Sequence, residues 1–445
     1  MLKMTLSDPL DSQLCRTAFE TKIAESWRAL KEGALRCAEG FGWMNLPDSD
    51  AHLLAETARF FAPYDYIILL GIGGSALGTQ MLVEVLAETS CFTAEEKKRP
   101  LLLVADNADA ETGEAIWQRV VPERTALLVV SKSGRTLETM CNFLFFREKL
   151  LSAVGEQGEK QMFAVTDASQ GFLRRYVKEK GTASAEFPRD TGGRYSVLSP
   201  CSLVAAAALG VDICSLLRGA RTMKESLLCA PAESNPASQL TEAVLRAWES
   251  GKNVTVFMTY GDRLESVGEW FAQLWGESLG KQGTGLTPQC ACGSVDQHSQ
   301  LQLYAEGPND KFFIFLSSRP GQRGVLSVPR EALFDEARCL EGMSMESVLD
   351  CERRGVIASL KRRRRSVCSL ELERTDAFCL GGLIFLLEAV TALTGLSRGV
   401  DPFDQPGVEE GKNYALALCG SAEYSKYLKD VTDAEGAEPS SIFEV

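Results

Sequence analysis

Ser131, Ser133 and Thr136 stand around Gly134, directly after the apolar run ALLVVS and directly before a helix-forming stretch. Three small hydroxyls at a helix start can each donate a hydrogen bond to an oxyanion, and the first-turn amides add positive potential. The segment, with the backbone of Lys132, therefore reads as a phosphate cradle. Serine and threonine also cap helices without binding anything. A second turn, Gly71-Ile72-Gly73-Gly74-Ser75, follows YDYIILL and precedes ALGTQML. Its glycines let a ligand approach the backbone, although a tight strand-to-helix turn needs the same residues.

Helical spacing in WFAQLWGESLGK puts Gln273 and Glu277 on one face beside Trp270 and Leu274. A carboxylate among apolar neighbours is a candidate base for abstracting a proton next to a carbonyl. Glu277 also stands four residues before Lys281, the spacing of an ordinary helix ion pair. In DQHS, Asp296 could orient the ring of His298. In GGRYS, Arg194 follows two glycines, where a guanidinium can reach an anionic intermediate or simply face solvent. PFDQPGVEEGK, ending at Lys412, is a structured loop by its prolines and glycines.

The elements that must position these residues alternate. Short apolar runs near 66, 101, 126 and 162 are separated by helix-length amphipathic stretches, and a second set follows with NVTVFMTYG, FFIFLS and a run near Val367. Such alternation predicts parallel sheets flanked by helices, hence an α/β fold of two tandem units. The predicted organisation is a helical segment over 1–50, a first domain over 51–211, a second over 212–400, and a loop and helix over 401–445. Two like turns at the carboxyl ends of neighbouring parallel strands would face one ligand.

Bulk properties exclude other classes. A formal charge of -13 over 445 residues opposes a surface that attracts nucleic acid. The fourteen cysteines form no C-x-x-C pair and read as reduced thiols. The first residues lack a signal-peptide pattern, so a cytoplasmic location is expected. The apolar stretch Cys379–Leu396 carries Glu388 and reads as a buried helix, giving no membrane association. With only two histidines, a His-rich metal site is impossible, and Cys290, Cys292, Asp296 and His298 match no common zinc spacing. The basic run Lys361–Arg365 reads as a solvated face or the lead-in to a strand.

Together GIGGSALG, SKSGRTLET, GGRYSVLS, QLWGESLGK, GSVDQHSQLQL and PFDQPGVEEGK resemble, in order, the motifs of the glucose-6-phosphate isomerase family, from residue 71 to 412. The resemblance implies two tandem sugar-isomerase (SIS) domains, a homodimer, a sugar phosphate substrate, and aldose-ketose isomerisation without metal or other cofactor. It implies Glu277 as the base moving a proton between carbons 1 and 2, and Arg194 as the cation facing the enediolate. His298, from the partner subunit, would open the sugar ring with Lys412 assisting. Ser75, Ser131, Lys132, Ser133 and Thr136 match the phosphate contacts, Gln273 and Gln405 line the sugar, and Gly74 and Gly193 allow close approach. Arg135 departs from the family's usual S-K-[ST]-G-T-T, where a threonine precedes Thr136.

Three rival readings remain at this level. A non-catalytic phosphosugar sensor would need the cradle but not Glu277, His298, Arg194 and Lys412. Acceptance of mannose 6-phosphate would share the enediol. A nucleotide-binding oxidoreductase is disfavoured because Ala76 breaks the G-x-G-x-x-G spacing.

Overall fold

A parallel sheet covered on both faces selects continuous apolar runs rather than alternating ones, and most interior strands of this chain are built from such runs. The computed structural model describes residues 1–7, 13–87, 99–231, 234–321, 326–331 and 334–436. Ten strands are present among them: β1 (Leu2–Ser7), β2 (Tyr66–Leu70), β3 (Leu101–Ala105), β4 (Thr125–Val130), β5 (Met162–Thr166), β6 (Ala183–Glu186), β7 (Val254–Tyr260), β8 (Thr287–Gly293), β9 (Lys311–Ser318) and β10 (Ser366–Leu372). The first sheet has the order β3-β2-β4-β5-β6 and is parallel throughout. The second has the order β1-β10-β9-β7-β8 and is parallel except for β1.

Strand alternation divides the core. Ile67 and Leu69 of β2 join a central core, together with Ile314 and Leu316 of β9 and several helices. Ile68 and Leu70 face the other way, onto Phe143 and Phe146 of helix Leu137–Val154. In the second sheet Phe313 and Phe315 face a separate outer core with Val356 and Leu360 of helix Met345–Arg362. Helix Ala377–Arg398 contains the long apolar stretch, and 94% of its most apolar window is buried, as a core helix requires. It lies close against helix Ile213–Cys229 because glycines meet there. A Cβ on Gly381 would stand 1.9 Å from the Leu216 carbonyl oxygen, and one on Gly219 would stand 1.9 Å from that of Phe378.

Three features differ from the sequence expectation. Residues 2–7, expected within a helical segment, form β1 and pair antiparallel with β10. The alternation Leu2, Met4, Leu6 is a strand period, and the pairing supplies its hydrogen bonds. Strands β6 and β8 arise from polar sequence with no apolar run, which an edge position tolerates, as does Pro288 inside β8. Finally, the basic run divides. Lys361–Arg364 are exposed, whereas Arg365 is buried and donates to the carbonyls of Ala305 and Gly307 just ahead of β10.

Both sheets belong to one compact unit, Met1–Phe403, and a second unit begins at Asp404. The expected helix near Glu409 is present as Glu409–Leu418.

Candidate active site

Strand order in the first sheet reverses between β2 and β4, since β3 lies on one side of β2 and β4 and β5 on the other. Ligands of open α/β sheets bind at such a point, outside the carboxyl ends of the strands. The turn Gly71–Ser75 leaves β2 there, and Ser131–Thr136 leaves the adjacent β4 there. Ser131 is buried. Its hydroxyl accepts the Gly134 amide at 3.1 Å and lies 3.3 Å from the Thr136 hydroxyl. Ser133 accepts the Arg135 amide at 3.2 Å. A hydroxyl that accepts a local amide keeps its proton for donation, as binding an oxyanion requires. Thr136 then begins helix Leu137–Val154.

Lys132 does something the sequence did not suggest. Its Nζ reaches away from the loop to the carbonyls of Arg189 and Thr191, at 2.8 and 2.9 Å. Burial pushes its pKa down, opposed by the carboxylates of Glu39, Asp190 and Asp167. The side chain thus ties the hydroxyl loop to the segment that leads into Gly192-Gly193-Arg194.

That segment touches the first turn directly. A Cβ on Gly74 would stand 2.3 Å from both the carbonyl carbon and the oxygen of Gly193 and 2.7 Å from the Arg194 nitrogen, so only glycine fits. A Cβ on Gly73 would lie 2.8 Å from Gln273 Nε2. Helix Glu265–Leu279, which follows β7, therefore presents Gln273 to the glycine turn.

Arg194 occupies the junction with its side chain 2% exposed. Its Nη1 donates to Glu277 Oε2 at 3.1 Å, its Nε to Ser278 Oγ at 2.8 Å and its Nη2 to the Pro402 carbonyl at 2.6 Å. Gln273 Nε2 donates to Glu277 Oε1 at 2.9 Å. The solvated turn arginine considered above is thereby ruled out, and the Glu277 carboxylate faces Arg194 and Gln273, while Lys281 Nζ donates to the Asp401 carbonyl. A carboxylate held at both oxygens, 30% exposed and backed by a permanent cation, can take a proton from carbon while the cation faces charge developing on a neighbouring oxygen.

Sequence reasoning missed Ser278 and the Pro402 carbonyl as the groups that aim Arg194. Ser278 was visible only as the neighbour of Glu277. It is fully buried and also lies 3.3 Å from the Tyr195 hydroxyl, whose pKa burial pushes far up.

His298 lies beyond the carboxyl end of β8, exposed, and no hydrogen bond joins it to Glu277. Asp296 does not orient its ring as expected. The Asp296 carboxylate accepts the Cys292 amide at 2.7 Å and the Ser299 hydroxyl at 2.6 Å. Burial opposes ionisation of Asp296, yet these hydrogen bonds keep its pKa below the ordinary value. Among the described residues no group of three or more His, Cys, Asp or Glu side chains is placed to hold a metal ion. Lys412 and Gln405 belong to the second unit, where Lys412 Nζ pairs with Glu409 at 3.1 Å.

Residues 61–300, which hold Glu277, Arg194, His298 and both turns, match the family described as Phosphoglucose isomerase. The glucose-6-phosphate isomerase of Rubrobacter xylanophilus is 38% identical over 389 residues, covering 86% of this chain and 90% of that one. The chain belongs to the phosphoglucose isomerase family. Among further members, the glucose-6-phosphate isomerase of Carboxydothermus hydrogenoformans is 34% identical across 96% of this chain and 94% of its own length. A crystal structure of a hypothetical protein from Thermus thermophilus superposes with a TM-score of 0.84 at 30% identity, covering 95% of this chain and all of that one. The glucose-6-phosphate isomerase of Chlamydia trachomatis shares the fold at 20% identity, with a TM-score of 0.78 over 97% of this chain and 92% of that one. The two tandem parallel sheets expected from the sequence are thus the family's α/β architecture.

Proposed function

We propose that this chain interconverts glucose 6-phosphate and fructose 6-phosphate through an enediolate. The observation that carries this reading is the Glu277–Arg194 pair, held by Gln273 and Ser278 at the close contact of Gly74 with Gly193. Ser75, Ser131, Ser133, Thr136 and the Lys132 backbone hold the phosphate, and its binding energy fixes the reacting carbons against Glu277. Glu277 removes the proton from one carbon and returns it to the next, while Arg194 stabilises the oxyanion in between. Gln273 and Gln405 contact sugar hydroxyls. Proton transfer between adjacent carbons asks for no metal or nucleotide.

The working form in this proposal is a homodimer in which His298 of one protomer opens the sugar ring in its partner's site, with Lys412 assisting. The exposure of His298 and its separation from Glu277 hydrogen bonding support that arrangement. A cytoplasmic location belongs to the same reading, and twelve described cysteines are free thiols, as a reducing compartment keeps them.

Purified protein given fructose 6-phosphate should form glucose 6-phosphate, read by a coupled dehydrogenase. Calorimetric binding of the sugar phosphate without turnover would replace this reading with a sensor. Refolded mixtures of Glu277→Gln and His298→Asn chains test the dimer, because a heterodimer with histidine supplied across the interface keeps one intact site. Such mixtures should recover roughly a quarter of the sites; no recovery would place His298 in its own subunit's site.

A further inference from the structure

The two sheets share a strand plan. In the first, β2 is flanked by β3 and β4; in the second, β7 is flanked by β8 and β9, so order reverses between β7 and β9 just as it does between β2 and β4. At this second reversal the carboxyl ends of the strands border a cavity of about 270 Å³. Gly261 and Arg263 line it from the turn after β7, and Ser317, Ser318 and Arg319 line it from the end of β9. A glycine turn after the first strand, and hydroxyls followed by an arginine after the third, repeat the chemistry of Gly71–Ser75 and Ser131–Arg135.

Ser318, on the lining, is partly exposed to the cavity side of β9's end. Around it charge is fixed. Arg353, 6% exposed, donates to Asp350 at 2.6 Å and to the Ser369 hydroxyl at 3.2 Å, and Arg319 lies 3.3 Å from Glu371. Helix Met345–Arg362 lines the cavity with one side face, through Glu346, Leu349, Asp350 and Arg353. Guanidinium groups and the Ser318 hydroxyl suit a phosphate. The carboxylates of Asp350 and Glu346 on the same wall suit hydroxyl donors, so a bare inorganic anion matches only part of the lining.

We propose that this cavity is a second ligand site, outside the catalytic centre, for a phosphate monoester of monosaccharide size. Its phosphate meets Ser318, Arg263 and Arg319, and its hydroxyls meet the acidic wall.

Calorimetric titration of the full chain with glucose 6-phosphate, and separately with inorganic phosphate, tests it. Wild type should take up two glucose 6-phosphate molecules per chain. Arg263→Glu should lose one of them, weakened at least about tenfold, while initial turnover at the catalytic site is unchanged. Ser318→Asp, a smaller change at the opposite loop, should give the same loss, and unchanged melting temperatures would establish that both variants fold. Ser133→Asp should lose the other molecule and retain this one. A single site in wild type overturns the proposal, as does a second site that survives in both cavity variants. Uptake there of inorganic phosphate but not of the sugar phosphate overturns it too.

Discussion

Glu277→Gln separates the proposed base role from everything else that residue does. Two donors face the carboxylate, Gln273 Nε2 at Oε1 and Arg194 Nη1 at Oε2. A glutamine can accept only one of them. The other conflict resolves locally, because Gln273 Oε1 is buried without a partner. Turning the Gln273 amide over brings that oxygen against the new NH₂ group. Arg194 keeps the amide oxygen, Ser278 and the Pro402 carbonyl as acceptors. Loss of charge at a carboxylate 30% exposed should therefore lower stability by about 1–2 kcal/mol. The chemical loss is larger. Removing a general base lowers kcat by about 10²–10⁴, equivalent to about 3–5 kcal/mol of barrier. The assay is the coupled conversion of fructose 6-phosphate, with thermal melting as the folding control. KM should change little, because the proposed phosphate contacts lie on the β2 and β4 turns. A folded variant with kcat within about tenfold of wild type would refute the assignment of Glu277 as base.

Three further perturbations follow from the same geometry. Gly74→Ala should force the β2 turn from the Gly193–Arg194 backbone, which cannot yield as a side-chain tip would; about 1–3 kcal/mol of stability and most of kcat/KM should be lost, read by melting and initial rates. Lys132→Met keeps the bulk of the side chain but removes both tethers to Arg189 and Thr191, so kcat/KM should fall about tenfold to a hundredfold through misplacement of Arg194 relative to the phosphate loop. Glu388 is fully buried with both oxygens unpartnered, and burial raises its pKa well above the ordinary 4.5. The folded chain therefore holds a proton that the unfolded chain releases, so stability is whole below about pH 4.5 and falls as pH rises toward the folded-state value. Chemical denaturation of Glu388→Gln should show that fall abolished, the variant gaining on wild type by up to about 1.4 kcal/mol per pH unit within the window; parallel pH curves would contradict the neutral buried acid.

Much of the arrangement was legible before any coordinates. The runs YIILL, TALLVV and MFAVT are buried along almost their whole length, and a strand buried on both faces writes itself as a continuous apolar run. The motif turns fell at strand ends because glycine and small hydroxyls are what a strand-to-helix reversal with an exposed amide start requires. What escaped notice lies at sheet margins. β6 and β8 are edge strands whose sequence need not be apolar, and β1 gains its place only from the free edge of β10, far along the chain. Likewise nothing around Asp296 and His298 could reveal that the carboxylate turns to Ser299 and the Cys292 amide instead of the ring.

Local sequence thus determined the chemical vocabulary: hydroxyls and glycines on two turns, a carboxylate on an amphipathic helix, an arginine after paired glycines. Those choices depend on backbone conformation and residue type within a few positions. The sentence made from that vocabulary was decided by tertiary structure. Arg194 meets Glu277 only because Gly74 lets the Gly193 backbone close to contact distance, and Ser278 and Pro402 aim its guanidinium from segments 84 and 208 residues away. The Lys132 side chain became a tether to Arg189 and Thr191 for the same reason. Long flexible side chains take their partners from what folding brings near, and chain order carries no local record of that distance.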